Sequence, residues 1–482
     1  MTVRSDPHGN TAAGDTTKGG LPLDGVRVID LSTRLGAYAG RLFADLGADV
    51  IRVEPPGGVP ERGVPPLTGD GTGLSFAFTE AGKRSVVLDD AGPGRTDVLD
   101  RLLSTAQLLL TSEGPARLRE RGLHPEDVTR RHPRLIHVSV SPFGLTGPWA
   151  DRPATDLTLL AAGGLLALAG DPDLPPVRAW GEQTSVIAGV HSATAALIAL
   201  LALEDTGRGQ IVDVSAQESV AHSLENAVQY LDLEDVVRRR VGAGPAEAGT
   251  GLFACADGWI YLVGGLGGLP LAWDAITAWL EAEGVEDAAG LREPRWLERG
   301  WRRAEEGVRT FRVLFERFAA PRTKRELYEE GQRRGISIAP VSTPGDLLAS
   351  PQLTGRNFFR RVAVGGTTLA FPGSPYRFAG LGVAPGNPPA VPGAHTEEVL
   401  GALPGGPSAP GAITSAGATG PDGDGTGAPG VARAAVPTGI TADSAAVPTG
   451  ITADSAAVPT GITADSAAVP TGITADSEET AP

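Results

Sequence analysis

Thiols, histidine clusters, long apolar runs and excess positive charge are all missing from this chain. One cysteine, Cys255, among 482 residues leaves no intrachain disulfide framework and no thiolate zinc site. The histidines are His8, His124, His132, His137, His191, His222 and His395, and none has metal-ligand spacing, so no metal is expected. No GxSxG nucleophile elbow is present. The longest apolar run, ATAALIALLAL at Ala193–Leu203, is shorter than the roughly 20 residues that cross a bilayer. The first residues are polar and glycine-rich, unlike a secretory signal. A soluble, cytoplasmic protein with no membrane partner is expected. With 41 Lys and Arg against 57 Asp and Glu, the net charge is −16, which disfavours a nucleic-acid partner, since that needs a basic face.

Part of that charge belongs to a segment with little capacity to fold. Residues 402–482 hold eight acidic residues and one basic one, Arg433, and repeat AAVPTGITADS four times from Ala434, Ala445, Ala456 and Ala467. Each copy has a Pro, a Gly and few large apolar groups, so a disordered tail is expected. Residues 1–20 read as a loose leader.

Between these ends, apolar periodicity alternates. GVRVIDLS (25–32) reads as a strand, RLGAYAGRLFADLGA (34–48) as a helix and ADVIRVEPP (48–56) as a strand stopped by two prolines. KRSVVLD (83–89), LLLTSEG (108–114) and PRLIHVSVSPFG (133–144) add strands, and VLDRLLSTAQ (98–107) a helix. Such alternation predicts a doubly wound α/β domain with a parallel sheet. A long helix fits 185–203 and a strand fits IVDVSAQES. A hairpin is expected around Asp257-Gly258. Residues 268–335 are richer in charge and Trp and mostly helical, a smaller second domain. A short strand pair is expected near Ala339–Val341 and Thr367–Phe371.

One carboxylate stands apart. Glu182, in AWGEQTSVIAG, is the sole Asp or Glu between Asp173 and Glu204. It is either a first-turn acid favoured by the helix dipole or a reactive group.

LPLDGVRVIDLS, LFADLGADVIRVEPPGG, GKRSVVLD, VSVSPFGLTGPWADRP, DLTLLAAGGLLALAGDPDLPPVR, LEDTGRGQIVDVSAQES, FACADGWIYL and GAHTEEVL occur in that order. Together they resemble family III CoA-transferases, the superfamily of carnitine CoA-transferases, formyl-CoA transferases and 2-methylacyl-CoA racemases. The resemblance covers roughly residues 21–400. It implies a Rossmann-like large domain built from N-terminal (21–225) and C-terminal (341–401) parts, with a linker and small domain (226–340) inserted between them. It also implies an interlocked dimer of two such chains, either a homodimer or a pair with a paralogous subunit.

The implied substrates are an acyl-CoA and a carboxylic acid acceptor, with coenzyme A as substrate and no permanently bound cofactor. By resemblance, Arg52, Lys83 and Arg84 contact CoA phosphates, and the adenine sits against the strand end from Val50 to Glu54. Lys83 and Arg84 are otherwise a solvated pair before a strand, and Glu54 a structural partner of a nearby Arg. Gly242, Gly244, Gly249 and Gly251 stand where the family carries a glycine loop over the active-site acid, or form an interdomain linker. Glu182 falls where the family has its nucleophilic aspartate, one methylene longer. The position implies attack on the thioester, an acyl anhydride and a glutamyl-CoA thioester. Where the racemases carry a His-Asp pair, this chain reads Thr155-Asp156, which disfavours two-base proton transfer. Asp156 is expected to cap a helix or line the site. A catalytically degenerate CoA-binding subunit is the second reading, a racemase or isomerase the third.

Overall fold

In the computed structural model, residues 20–89, 94–242, 247–384 and 386–404 are described. The leader, the repeat tail and Gly244 lie outside the described residues, save for Gly20 and residues 402–404.

The β-branched run at the start forms β1 (Arg27–Asp30), followed by α1 (Arg34–Asp45) and β2 (Asp49–Glu54). The chain continues through α2 (Leu74–Thr79), β3 (Arg84–Val87), α3 (Arg95–Leu103) and β4 (Leu108–Thr111). Then come α4 (Pro115–Glu120), α5 (Pro125–Arg131), β5 (Ile136–Ser141), α6 (Asp156–Ala162), α7 (Gln183–Thr206) and β6 (Ile211–Ser215). The six strands pair in the order β3-β2-β1-β4-β5-β6, each pair parallel. The order reverses between β1 and β4. In open α/β sheets the crevice beyond the carboxyl ends of such strands is where ligands bind.

Strand alternation sorts the apolar side chains onto two faces. Val28, Val50, Leu108, Leu110 and Val138 pack with α1 and α7, while Ile29, Ile51, Val86 and Leu109 pack with α3 and α5. The small residues of α1 have a steric reason. A Cβ on Gly40 would lie 2.6 Å from Asp30 Oδ2 and 2.7 Å from Lys83 Nζ. On the facing helix, a Cβ on Gly189 would lie 3.0 Å from Tyr38 Cβ. Side chains at either position would push α1 off the sheet or off α7.

The apolar run 193–203 belongs to a longer helix than the run suggests. α7 has 24 residues, and by length and composition alone it would suffice to cross a membrane. Here Ala188, Ala193, Ala196 and Ala199 are buried in the core. Val186, Val190, Thr194, Ile198 and Leu201 form an exposed face at near i, i+4 spacing.

A second core lies within 248–338. It is built on a hairpin of β7 (Thr250–Cys255) and β8 (Gly258–Val263), with Ala256 and Asp257 in the turn. Phe253, Ile260, Leu262, Trp273, Trp279, Trp296, Phe311 and Phe315 fill it. The expected pairing of segments near 339–341 and 367–371 is corrected. Ser337–Pro340 joins β8, and Thr367–Pro372 pairs with Phe359–Val364. The partner of each is nearer in space than in the reading of the sequence: β8 is covered by the second core, and 359–364 is one tight turn away.

The chain then returns to the β3 edge. His395 N–H donates to Ser85 O (2.9 Å), and Val87 N–H donates to Thr396 Oγ1 (2.9 Å). Val399 and Leu403, in and after the helix Thr396–Gly401, are buried with the sheet residues.

Candidate active site

The carboxyl ends of β1 and β4 are tied together. Leu31 N–H donates to Leu110 O (2.9 Å) and Thr33 N–H to Ser112 Oγ (2.6 Å). This holds Arg34, the first residue of α1, at the reversal point. Gly181 turns the chain toward the same point with φ +79°, a conformation that favours glycine. Glu182 follows as the N-cap residue of α7, but its side chain caps nothing. Asp156 does that instead: its Oδ1 accepts from Thr184 N–H at 2.8 Å. Asp156 therefore caps α7 rather than its own helix, which is capped by Thr155 through Thr158. The Glu182 carboxylate is left free of the helix and is held by the Arg34 guanidinium. Burial pushes the Glu182 carboxyl above the ordinary value, Asp156 and Glu61 add to that, and Arg34 opposes it.

Both groups open into a cleft of about 750 Å³ lined also by Ser112, Pro142, Arg152, Arg178 and Asp156. Leu35, Leu157 and Leu159 supply apolar wall. Its position is the one that the strand order marks for a ligand. A partly exposed carboxylate at the edge of such a cleft has the chemistry to act as a nucleophile toward an electrophilic carbonyl.

The residues expected to hold CoA sit elsewhere, on the β2–β3 side. Val50 is a core residue. Lys83 is buried, donating to Asp30 Oδ2 (2.8 Å) and Ala37 O (2.9 Å), and lies 2.9 Å from Glu80 Oε2. Arg52 is buried and donates to Ser32 O and to Asp30 Oδ1 (3.3 Å). Burial pushes Asp30 up, but Lys83 and Arg52 hold its carboxyl below the usual range. Glu54 accepts two bonds from Arg62, at 2.7 and 2.6 Å, and one from Ser85 Oγ (2.7 Å). Burial raises its carboxyl, and these bonds bring it below the ordinary value. Arg84 alone of the five is part-exposed, paired with Asp49 (3.0 Å) and Glu398 (3.0 Å). A phosphate reaching Arg52 or Lys83 would have to break the cluster around Asp30. None of the five lines that cleft, but Arg52 lines a smaller pocket with Arg34 and Glu182.

Of the glycines, Gly242 donates to Gly170 O (3.2 Å), and Gly249 packs under Trp273 in the second core. Gly251 lies in β7. None of these three lines the cleft. Among the described residues, no histidine lines it either. His137 is buried with Nε2 2.9 Å from Thr111 Oγ1, its pKa pushed down to about 3 by burial. His395 Nδ1 accepts from Ser85 N–H at 3.2 Å. Reading the sequence missed Arg34, Arg152 and Arg178. The signal for Arg34 was its place directly after the first strand, at the position a doubly wound sheet uses for ligands.

The family model of CoA-transferase family III matches residues 23–396. The chain is 41% identical over 381 residues to the succinyl-CoA:(R)-benzylsuccinate CoA-transferase subunit BbsE of Thauera aromatica, spanning 78% of this chain and 92% of that protein. It is 29% identical over 363 residues to the acetyl-CoA:oxalate CoA-transferase of Acetobacter aceti, spanning 74% and 90%. A CAIB/BAIF family protein from Brucella suis superposes with a TM-score of 0.71 at 25% identity, covering 79% of this chain and 98% of that one.

Proposed function

The chain belongs to CoA-transferase family III, and from that membership we propose that Glu182 is the nucleophile of a transferase that moves CoA between an acyl-CoA and a carboxylic acid. A Glu182 oxygen attacks the thioester carbonyl, the C–S bond breaks, and CoA leaves as thiolate from a mixed anhydride. The thiolate then attacks the glutamyl carbonyl, releasing the first acid and leaving a glutamyl-CoA thioester. The acceptor carboxylate attacks that thioester, and the displaced thiolate takes the new acyl group. Glu182 is regenerated, and no net proton is consumed. Each exchange is thereby split into easier steps. The observation that carries this reading is that the Glu182 carboxylate caps no helix: Asp156 performs the capping that would otherwise explain an acid here.

Arg34 orients the attacking oxygen. Arg84 is retained as the CoA phosphate contact, and Arg52, Lys83, Glu54 and Val50 support the β2–β3 edge from within. Two chains associate by covering the exposed face of α7, Val186, Val190, Ile198 and Leu201. The test is mass spectrometry after incubation with acyl-CoA and hydroxylamine. A hydroxamate on the Glu182 peptide is expected, and Glu182→Gln is expected to lose it together with exchange, by on the order of a thousandfold or more.

A second reading is favoured by one observation: the 41% identical relative is named as a subunit. On that reading this chain binds CoA, and a paralogous chain supplies the attacking acid. Exchange by the purified chain alone would end it.

A further inference from the structure

Two buried polar atoms stand close together without a hydrogen bond. The side chains of Arg52 and Glu80 are each 5% exposed, and among the described residues Arg52 Nε and Glu80 Oε2 have no hydrogen-bond partner. Arg52 spends Nη1 on Ser32 O and Asp30 Oδ1. Glu80 Oε2 is ion-paired with Lys83 at 2.9 Å, but Lys83 Nζ donates to Asp30 Oδ2 and Ala37 O. Leaving such groups unmatched in the interior is costly. Arg52 Nε and Glu80 Oε2 are 4.0 Å apart, too far for a direct bond and within the span of a bridging water. Both residues line a pocket of about 30 Å³, room for about one water. Arg34 and Glu182 line the same pocket, and so does Glu61, whose charge acts on both Arg52 and Glu182. The buried ionic cluster and the candidate nucleophile therefore meet in one small polar space.

We propose that one ordered water in this pocket accepts from Arg52 Nε and donates to Glu80 Oε2 and to the Glu182 carboxylate. About three bonds are usual for a buried water, and this arrangement satisfies both orphaned atoms. The Glu182 carboxylate is then held by two partners, Arg34 and the water, which together fix its rotation. Arg52 and Glu80 become positioning residues: they touch no substrate and act on Glu182 through the water. That role rests on the transferase reading, whereas the water itself does not. Burial raises the Glu182 carboxyl, Asp156 and Glu61 add to that, and Arg34 opposes it. A hydrogen bond donated to the ionised form favours that form, so the water works on the same side as Arg34.

The test is a high-resolution crystal structure of the full chain without acyl-CoA, joined to an NMR titration of isotope-labelled glutamate carboxyls in which Glu182→Gln identifies the Glu182 signal. Density for one water within hydrogen-bond distance of Arg52 Nε, Glu80 Oε2 and Glu182 is expected. Ala37 is buried and lines the pocket, so Ala37→Val fills the space and is expected to displace the water. The Glu182 pKa is then expected to rise by about half a unit to one unit, the worth of one lost hydrogen bond, and the acid limb of exchange to move with it. Val64→Ile, in the same lining, carries the same measurement if Ala37→Val does not fold. A wild-type pocket without ordered water, or with one out of reach of Glu182, overturns the proposal. An unmoved Glu182 titration in a variant that has lost the water overturns it as well. A titration that moves as expected in a chain without exchange activity sustains the water and removes the transferase reading instead.

Discussion

Glu182 reaches about one bond further than an aspartate would, and Arg34 grips the carboxylate at that reach. Shortening the arm pulls the oxygens off the guanidinium and, on the proposed mechanism, away from the thioester. Glu182→Asp is therefore expected to lower kcat/KM by on the order of a hundredfold, the cost of a misplacement near 1 Å. A rise instead would mean that the pocket is still built for the shorter acid. Burial already holds the Glu182 carboxyl above the ordinary value. On the proposed mechanism the attacking form is the deprotonated one, so activity is expected to be lost as pH falls through that raised pKa, earlier than for a solvated glutamate. Arg34 is the one cation opposing the rise. Arg34→Gln is expected to move the acid limb of the kcat/KM profile to still higher pH. Glu182 was visible as an isolated acid in the chain, and its expected role came from the family resemblance. Its partner was not visible, since 148 residues separate the two and no local pattern links positions so far apart.

Helix α7 carries the site on its first turn, so its cap is also a positioning device. Asp156→Ala removes the acceptor for Thr184 N–H and is expected to cost about 1 kcal/mol of stability, read as a lower urea midpoint. Asp156→Asn keeps an acceptor oxygen but removes a charge that raises the Glu182 carboxyl. It is expected to retain most of the stability while shifting the acid limb to lower pH. A shared loss in both variants would leave Asp156 with no electrostatic role. The elements themselves were readable from periodicity: β1, α1, β2 and α7 lie within a few residues of their predicted places. The cap was not readable, because Asp156 starts a different helix. Local preference points an Asp to its own N-terminus, and tertiary packing gave that work to Thr155. The same limit explains Arg52 and Lys83. Their types suggest phosphate, but Asp30 and Glu80 reach them from β1 and the turn before β3 and bury them as ion pairs.

The packing of the returning chain against the sheet sets where a truncation is tolerated. Leu403 is buried beside Val399, and Arg101 donates to Leu403 O and Pro404 O. A chain ending at Pro404 is expected to keep its urea midpoint and activity, because the repeats beyond it lack the apolar residues to build a core. A chain ending at Gly401 is expected to be less stable by about 2 kcal/mol, the worth of one buried leucine. Loss of activity in the chain that ends at Pro404 would mean that the repeats contribute to folding. Composition and periodicity sufficed for the α/β class, the strand–helix alternation and the isolation of Glu182, since these depend on what neighbours in the chain bury together. The reversal of strand order beside β1, the pairing of Glu182 with Arg34, the cap from Asp156 and the inward turn of the β2–β3 cations came from packing alone. Charges and caps answer to whichever group is nearest in space, and that is decided when the sheet closes over its helices.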